Sequence, residues 1–345
     1  MKAVLLTGHG GFEKLAYRRD VSTPVPRPDE VLIKVGAAAV NNTDINMRTG
    51  WYSKTGAEAS GFAEDSGWTG SSVVFPLIQG ADVCGIIVAT GSNVTLARMG
   101  ERVLVDPILR ARPMGSTPTD LYLGSDCDGG FADYVCVPSV NAHRISVALN
   151  DAELASFPCS YCAAENMLSR AGVADGESVL VTGASGGVGS AAVQLARRRG
   201  ARVIAIAGAE KAAQVKELGA SAVLARDADL LQAIGEESVD VVIDVVGGGQ
   251  FPRLLEVLRR AGRYAVAGAI AGAMVTLDLR TLYLKDLRLL GCTIPEPDVF
   301  GNLVRYIEGG EIKPVIAGIY PLHAIADAQR DFLAKRHTGK MVLVP

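Results

Sequence analysis

At 345 residues the chain has room for about two domains of roughly 150 residues each. Its 49% hydrophobic and 21% charged residues exclude both a disordered chain and a small stapled scaffold. Lys and Arg number 34 against 37 Asp and Glu, so a net charge of −3 leaves no bulk positive field for nucleic acid.

The six cysteines, Cys84, Cys127, Cys136, Cys159, Cys162 and Cys292, are scattered through the chain and point to a reducing, cytoplasmic setting. Residues 1–8 hold too brief an apolar run for a secretory signal. The uncharged, Ala/Gly-rich stretch 264–277 is shorter than the ~18 apolar residues that a membrane-spanning helix needs. No membrane association is expected.

In chain order, short β-branched runs at 31–35, 83–88 and 102–105, separated by Gly, Pro, Asn and Asp clusters, predict a β-rich first third. Between the first two lies 51–73, rich in Gly, Ser, Thr and Ala and longer than most connections, a candidate functional loop carrying Trp51 and Trp68. From Ser178 the pattern changes to alternating strands and helices. A strand at 179–181 leads into an Ala-rich helix to Arg199, and a strand at 202–206 into a helix to Leu218. Strands at 222–224 and 239–243, a helix from about Phe251 to Arg260, and strands at 263–266 and 287–292 follow. Six strands in this alternation predict an α/β fold with a doubly wound parallel sheet. A helix at 299–308, an apolar segment at 314–319, a helix at 324–335 and a closing strand at 341–344 form a tail too short to be a domain. It is expected to return to the first.

The strongest chemical signal is 181–189, where a buried strand turns into a helix through Ser185, Gly186, Gly187, Val188 and Gly189. Gly186 lets the backbone approach a pyrophosphate, and Gly189 lets the helix pack on the strand. The helix N-terminus supplies free N–H groups and partial positive charge. A dinucleotide is expected there. Near the end of the second strand an acidic residue would hold a ribose 2′-OH. Gly208 instead leaves room for a 2′-phosphate, with Lys211 as its point charge and Arg226 as a weaker contact. This favours NADP(H), although Lys211 also reads as a solvated residue at a helix start and Glu210 as a ribose partner. Gly247 and Gly268 fall at carboxyl ends of the fourth and fifth strands, the side where such sheets hold ligands.

The chain resembles the medium-chain dehydrogenase/reductase superfamily, and its zinc-free quinone oxidoreductase branch in particular. The resemblance is carried by residues 40–44 and 48–52, 80–85, 100–103, 130–135, 184–189, 216–220 and 337–343. It implies a GroES-like catalytic domain over 1–148, a Rossmann dinucleotide-binding domain over 149–296 and a return to the catalytic domain over 297–345. Zinc-dependent members hold their metal through positions that correspond to Asn41, Ala81 and Cys159. Alanine offers no donor and an amide is a poor one, and only Cys127 and Cys136 stand in the region where relatives hold a structural zinc with four cysteines, so no metal is expected, catalytic or structural.

Without a Lewis acid, the chemistry implied is NADPH-dependent hydride transfer to quinones or α,β-unsaturated carbonyls. By the resemblance Asn41 and Tyr52 face the substrate carbonyl, Thr43 adds a hydroxyl near the nicotinamide, and Lys340 reaches the cofactor phosphates or ribose. Other readings stay open: Asn41 satisfying backbone groups, Asp44 capping a helix, Tyr52 as a half-buried aromatic and Lys340 as an exposed lysine. Cys159 and Cys162 form a C-x-x-C read as buried small hydrophobes. Two further functions remain in view, an alcohol dehydrogenase with an atypical zinc site and a non-catalytic NADPH-binding protein. The apolar segment 268–284 suggests a homodimer.

Overall fold

The computed structural model describes residues 1–52, 73–110 and 120–345. Most of the loop 51–73, Trp68 included, lies outside them. The described chain builds two main sheets.

The first is a mixed sheet whose central strand is Glu30–Ala39. Antiparallel to it run Asp82–Thr90 on one side and Lys340–Val344 on the other. Arg102–Val105 and Ala142–Arg144 extend the sheet beyond Asp82–Thr90, Ile316–Pro321 lies parallel outside Lys340–Val344, and Tyr134–Pro138 also pairs with Glu30–Ala39. The predicted return of the tail is therefore literal. Met341, Val342 and Leu343 are buried in a sheet whose other strands come from the first 144 residues and from Ile316–Pro321. A small separate sheet joins Ala3–Leu6 to Leu15–Arg18 and Leu77–Ile78.

The second sheet has six parallel strands in the spatial order Ala222–Leu224, Arg202–Ile206, Ser178–Val181, Val239–Asp244, Leu258–Val266, Arg288–Gly291. This is the doubly wound order, reversing beside the first strand. Val179, Leu180 and Val181 are buried completely, as expected for an inner parallel strand covered on both faces. Helix Gly187–Arg198 covers one face and packs on helix Pro158–Arg170.

Among the differences from the sequence expectation, two have a clear physical cause. The helix expected from Phe251 to Arg260 ends at Glu256, because Leu258 pairs with Val239 and starts a long strand that runs to Val266. Apolar residues there serve helix and strand in turn, which periodicity cannot divide. Helix Pro158–Arg170 was not anticipated: it is buried on nearly all sides, so it shows no amphipathic stripe.

If the tail is integral to the first sheet, Leu343→Ala removes a fully buried side chain at a cost of about 2–5 kcal/mol. The midpoint of urea unfolding should fall accordingly. A shift equivalent to less than about 0.5 kcal/mol, the size of a surface change, would show that the tail is dispensable.

Candidate active site

The register of three strands gathers the polar centre. Val40 follows the central strand and its N–H donates to Met341 O (2.9 Å), while Ala39 lies opposite Asp82. The end of Glu30–Ala39 thus meets the starts of its two antiparallel neighbours, and Asn41, Asp82 and Lys340 converge. Lys340 Nζ donates to Asn41 Oδ1 (2.5 Å) and Asp82 Oδ2 (2.7 Å). Asn41 Nδ2 donates to Asp82 Oδ2 (2.8 Å) and Ala39 O (3.3 Å), and Cys159 N donates to Asp82 Oδ1 (2.5 Å). Asp82 is 0% exposed and Lys340 3%. Both N–H groups of the Asn41 amide are spent inside this cluster.

Helix Asn42–Thr49 begins at this point. The N-cap is Asn41, and Asp44 stands at the third helical position, where its Oδ2 accepts from the Asn41 backbone N–H (2.7 Å); Asp44 closes a capping box and is not the cap itself that the sequence suggests. Burial pushes its carboxyl up to about 7 despite that bond and the nearby Lys340 charge. Thr43 and Asn46 side chains hydrogen-bond the Tyr52 oxygen, the latter at 3.3 Å, and burial raises the phenol. Cys159 and Asp44 lie close enough to act on it electrostatically. The structure therefore brings Asn41, Thr43 and Tyr52 to one place. On the far side, Tyr122 OH donates to Cys159 Sγ (3.0 Å), and burial pushes this thiol up to about 12, which keeps it protonated. Cys162 is also a free, buried thiol.

The glycine-rich turn faces this centre. Gly186 caps helix Gly187–Arg198 without any side chain, leaving the N-terminal N–H groups for a ligand. A Cβ on Gly189 would stand 2.2 Å from Gly183 O, a backbone atom that cannot yield, so glycine is what allows helix and strand to meet. Gly339 N donates to Ser185 O (2.9 Å), fastening the tail to the turn, and a Cβ on Gly187 would stand 2.9 Å from Lys340 Cδ. Lys340 therefore passes the glycine-rich turn and ends on Asp82 and Asn41. Val188 is half-buried on the same turn.

Asp244, which the sequence reading did not single out, organises the next loop. Its carboxylate accepts from Thr182 Oγ1 (2.5 Å), Val246 N (2.8 Å), Gly247 N and the Tyr264 hydroxyl. An Asp at the carboxyl end of the strand 239–244 was the available signal. Gly247 has φ 65°, a left-handed turn that favours glycine, and Gly268 backs onto Val245 O.

At the end of Arg202–Ile206 cations crowd together. Lys211 is 3% exposed and donates to Lys335 O (2.5 Å) across to the tail, so it is no solvated lysine. Burial, then the Lys211 charge, lowers Lys335 to about 8. Arg226 adds a third cation that acts on Lys211, and His337 is lowered by burial and by both lysines. The Glu210 carboxylate lies over Gly208, held low by its own backbone N–H and by Lys211 and Arg226.

Comparison with known proteins places this architecture. The family described as alcohol dehydrogenase GroES-like domain matches residues 27–147, and that described as zinc-binding dehydrogenase matches 187–309. The chain belongs to the medium-chain dehydrogenase/reductase superfamily and is an oxidoreductase of that class. It is 29% identical to human quinone oxidoreductase over all of this chain and 98% of that one. To the acryloyl-coenzyme A reductase of Metallosphaera sedula it is 30% identical, over 99% of each. Among solved structures, a candidate alcohol dehydrogenase of Sinorhizobium meliloti is 49% identical, with a TM-score of 0.91 over 100% of this chain and 96% of that one. A mycobacterial protein complexed with NADPH is 27% identical, with a TM-score of 0.79 over the full length of both.

The zinc in one family's description does not fit this chain. By the resemblance Asn41 and Ala81 take the place of two metal ligands, and in the structure Asp82 already takes the Lys340 ammonium. Among the described residues no three His, Cys, Asp or Glu side chains gather as a metal set. After incubation with zinc and desalting, elemental analysis should find less than about 0.1 zinc per chain, as expected where a tetrahedral donor set is missing. A stoichiometric zinc that survives desalting would contradict this reading.

Proposed function

We propose that the protein is a zinc-independent, NADPH-dependent reductase that transfers hydride to quinones or α,β-unsaturated carbonyls. The carrying observation is the polar centre itself: hydrogen-bond donors and a paired ammonium beside a glycine-rich helix N-terminus, with no ligand set for a Lewis acid among the described residues. Full-length likeness to quinone oxidoreductase and acryloyl-coenzyme A reductase supports the same acceptor class. Such acceptors are electron-poor enough to take hydride without a metal.

Ser185, Gly186, Gly187, Val188 and Gly189 form the cradle for the pyrophosphate, and Gly247 and Gly268 line the adjoining strand ends. When bound, the nicotinamide supplies a hydride; water supplies the proton that completes the two-electron reduction. Lys211, Lys335 and Arg226 make a cation-rich seam beside Gly208 that suits a 2′-phosphate. Tyr52 and Thr43 hydroxyls donate toward the acceptor carbonyl, and Asn41 holds Asp82 and Lys340 in place. Hydrogen bonds aimed at the oxygen where charge develops lower the barrier without rearranging. Holding both reactants in one cleft supplies the rest.

The chain pairs as a homodimer through the end of the six-stranded sheet. There, Arg288–Gly291 has one neighbour, and Met274, Leu279, Tyr283 and Leu284 are exposed nearby.

Four measurements test this reading. NADPH oxidation with 9,10-phenanthrenequinone should persist in a strong chelator; absence of turnover would favour a binding protein, and loss with chelator a metal enzyme. Tyr52→Phe should lower kcat/KM for the quinone by about tenfold or more, and an unchanged value would remove Tyr52 from the site.

Lys335→Ala should weaken NADPH binding about tenfold while NADH changes less than about twofold, since only the former carries the phosphate. A bound phosphate favours charged Lys335, so NADPH affinity should fall as this amine deprotonates between about pH 7 and pH 9. Equal pH profiles for NADPH and NADH would refute a phosphate contact.

A further inference from the structure

The resemblance assigns Lys340 to the cofactor phosphates, yet its side chain ends elsewhere. Its stem runs past Gly187, and its ammonium sits on Asp82 and Asn41 at the centre where metal-ligand positions would converge. An ammonium has three N–H bonds. Asn41 Oδ1 and Asp82 Oδ2 take two, and they are its acceptors among the described residues. The other polar groups around it are committed. Asn41 Nδ2 donates to Asp82 and Ala39, the Cys159 backbone N–H donates to Asp82, and Asp44 receives the Asn41 backbone N–H. Among the described residues Lys340 is the one cation in this cluster, and it stands between the glycine-rich turn and the helix that carries Thr43 and leads to Tyr52.

We propose that Lys340 is the electrophile of the site. Its third N–H donates to the acceptor's carbonyl oxygen, a task performed by a Lewis-acid metal in zinc-dependent relatives, while Asp82 and Asn41 fix its direction. This rests on the reductase reading above and adds a catalytic residue to it. As hydride and its electron pair pass to the acceptor carbon, the conjugated π pair moves onto the acceptor oxygen. The N–H bond of Lys340 meets that charge and remains intact. A proton from water then completes the reduction, and the lysine is unchanged after turnover. Charge-assisted hydrogen bonds of this kind are about twice as strong as neutral ones, and the site's low exposure protects them from solvent. The inference also accounts for Asp82. Without it the ammonium would be an unpaired buried charge, and without Lys340 the carboxylate would be.

The test is the double variant Lys340→Met with Asp82→Asn, which removes donor and counter-charge together so that neither is stranded. NADPH Kd, read by fluorescence, should stay within about twofold of wild type while kcat falls at least about 100-fold. An approximately tenfold weaker NADPH Kd with kcat retained would overturn the proposal and return Lys340 to the cofactor phosphates. So would a kcat within about threefold of wild type, which makes the cluster purely structural. If the double variant does not fold, Lys340→Arg carries the test, since it keeps the charge on Asp82 but moves the donor. A kcat loss of about tenfold or more at unchanged Tm and NADPH Kd supports the proposal, and an unchanged kcat overturns it. The ratio is read with whichever carbonyl acceptor the wild type reduces. Failure of quinones alone would thus sink the assigned acceptor class and leave the Lys340 test standing.

Discussion

A buried ion pair, Lys340 with Asp82, sets the terms for the whole molecule. Burying either charge alone costs several kcal/mol, so each requires the other in place. The two come from residues 258 positions apart in sequence. They meet because the tail strand lies against Glu30–Ala39, which in turn lies against Asp82–Thr90. Completion of the first sheet by the tail and assembly of the cleft centre are the same event. A chain that failed to return its last strand would lose its fold and its site together.

The same tail joins the cleft to the nucleotide side. Gly339 bonds Ser185 on the glycine-rich turn, and Lys335 accepts the Lys211 ammonium from the end of the second parallel strand. Within a few residues the tail contacts the glycine-rich turn, Lys211 and the Asn41–Asp82 cluster. A dinucleotide bound across the switch point of the parallel sheet would therefore touch the segment that also carries Lys340. The Lys211 charge disfavours a charged Lys335, and an anion beside the two would offset that repulsion.

Much of the fold was legible because its signals are local. The six parallel strands fall on short apolar runs in the alternating part of the chain, and the glycine-rich turn follows from its place between strand and helix. Helix Pro158–Arg170 was hidden by uniform burial, and the start of Leu258–Val266 by an apolar run that continues a helix. The site was legible in its residue types and less so in their tasks. Asn41, Thr43 and Tyr52 do come together. That Asn41 has no N–H to spare, and that Lys340 ends on Asp82, depends on sheet register between distant strands. Asp244 gave only the weak signal of one acid at a strand end, although it binds two loops together.

The central claim is that a lysine ammonium, held by Asp82, stands at the acceptor's oxygen. A crystal structure with NADPH and a slowly reduced quinone bound tests it most directly. The account predicts Lys340 Nζ at about 2.7–3.2 Å from the quinone oxygen, with its Asp82 contact kept. An ammonium turned onto the pyrophosphate or ribose, with the quinone oxygen met by Tyr52 and Thr43 alone, would contradict it.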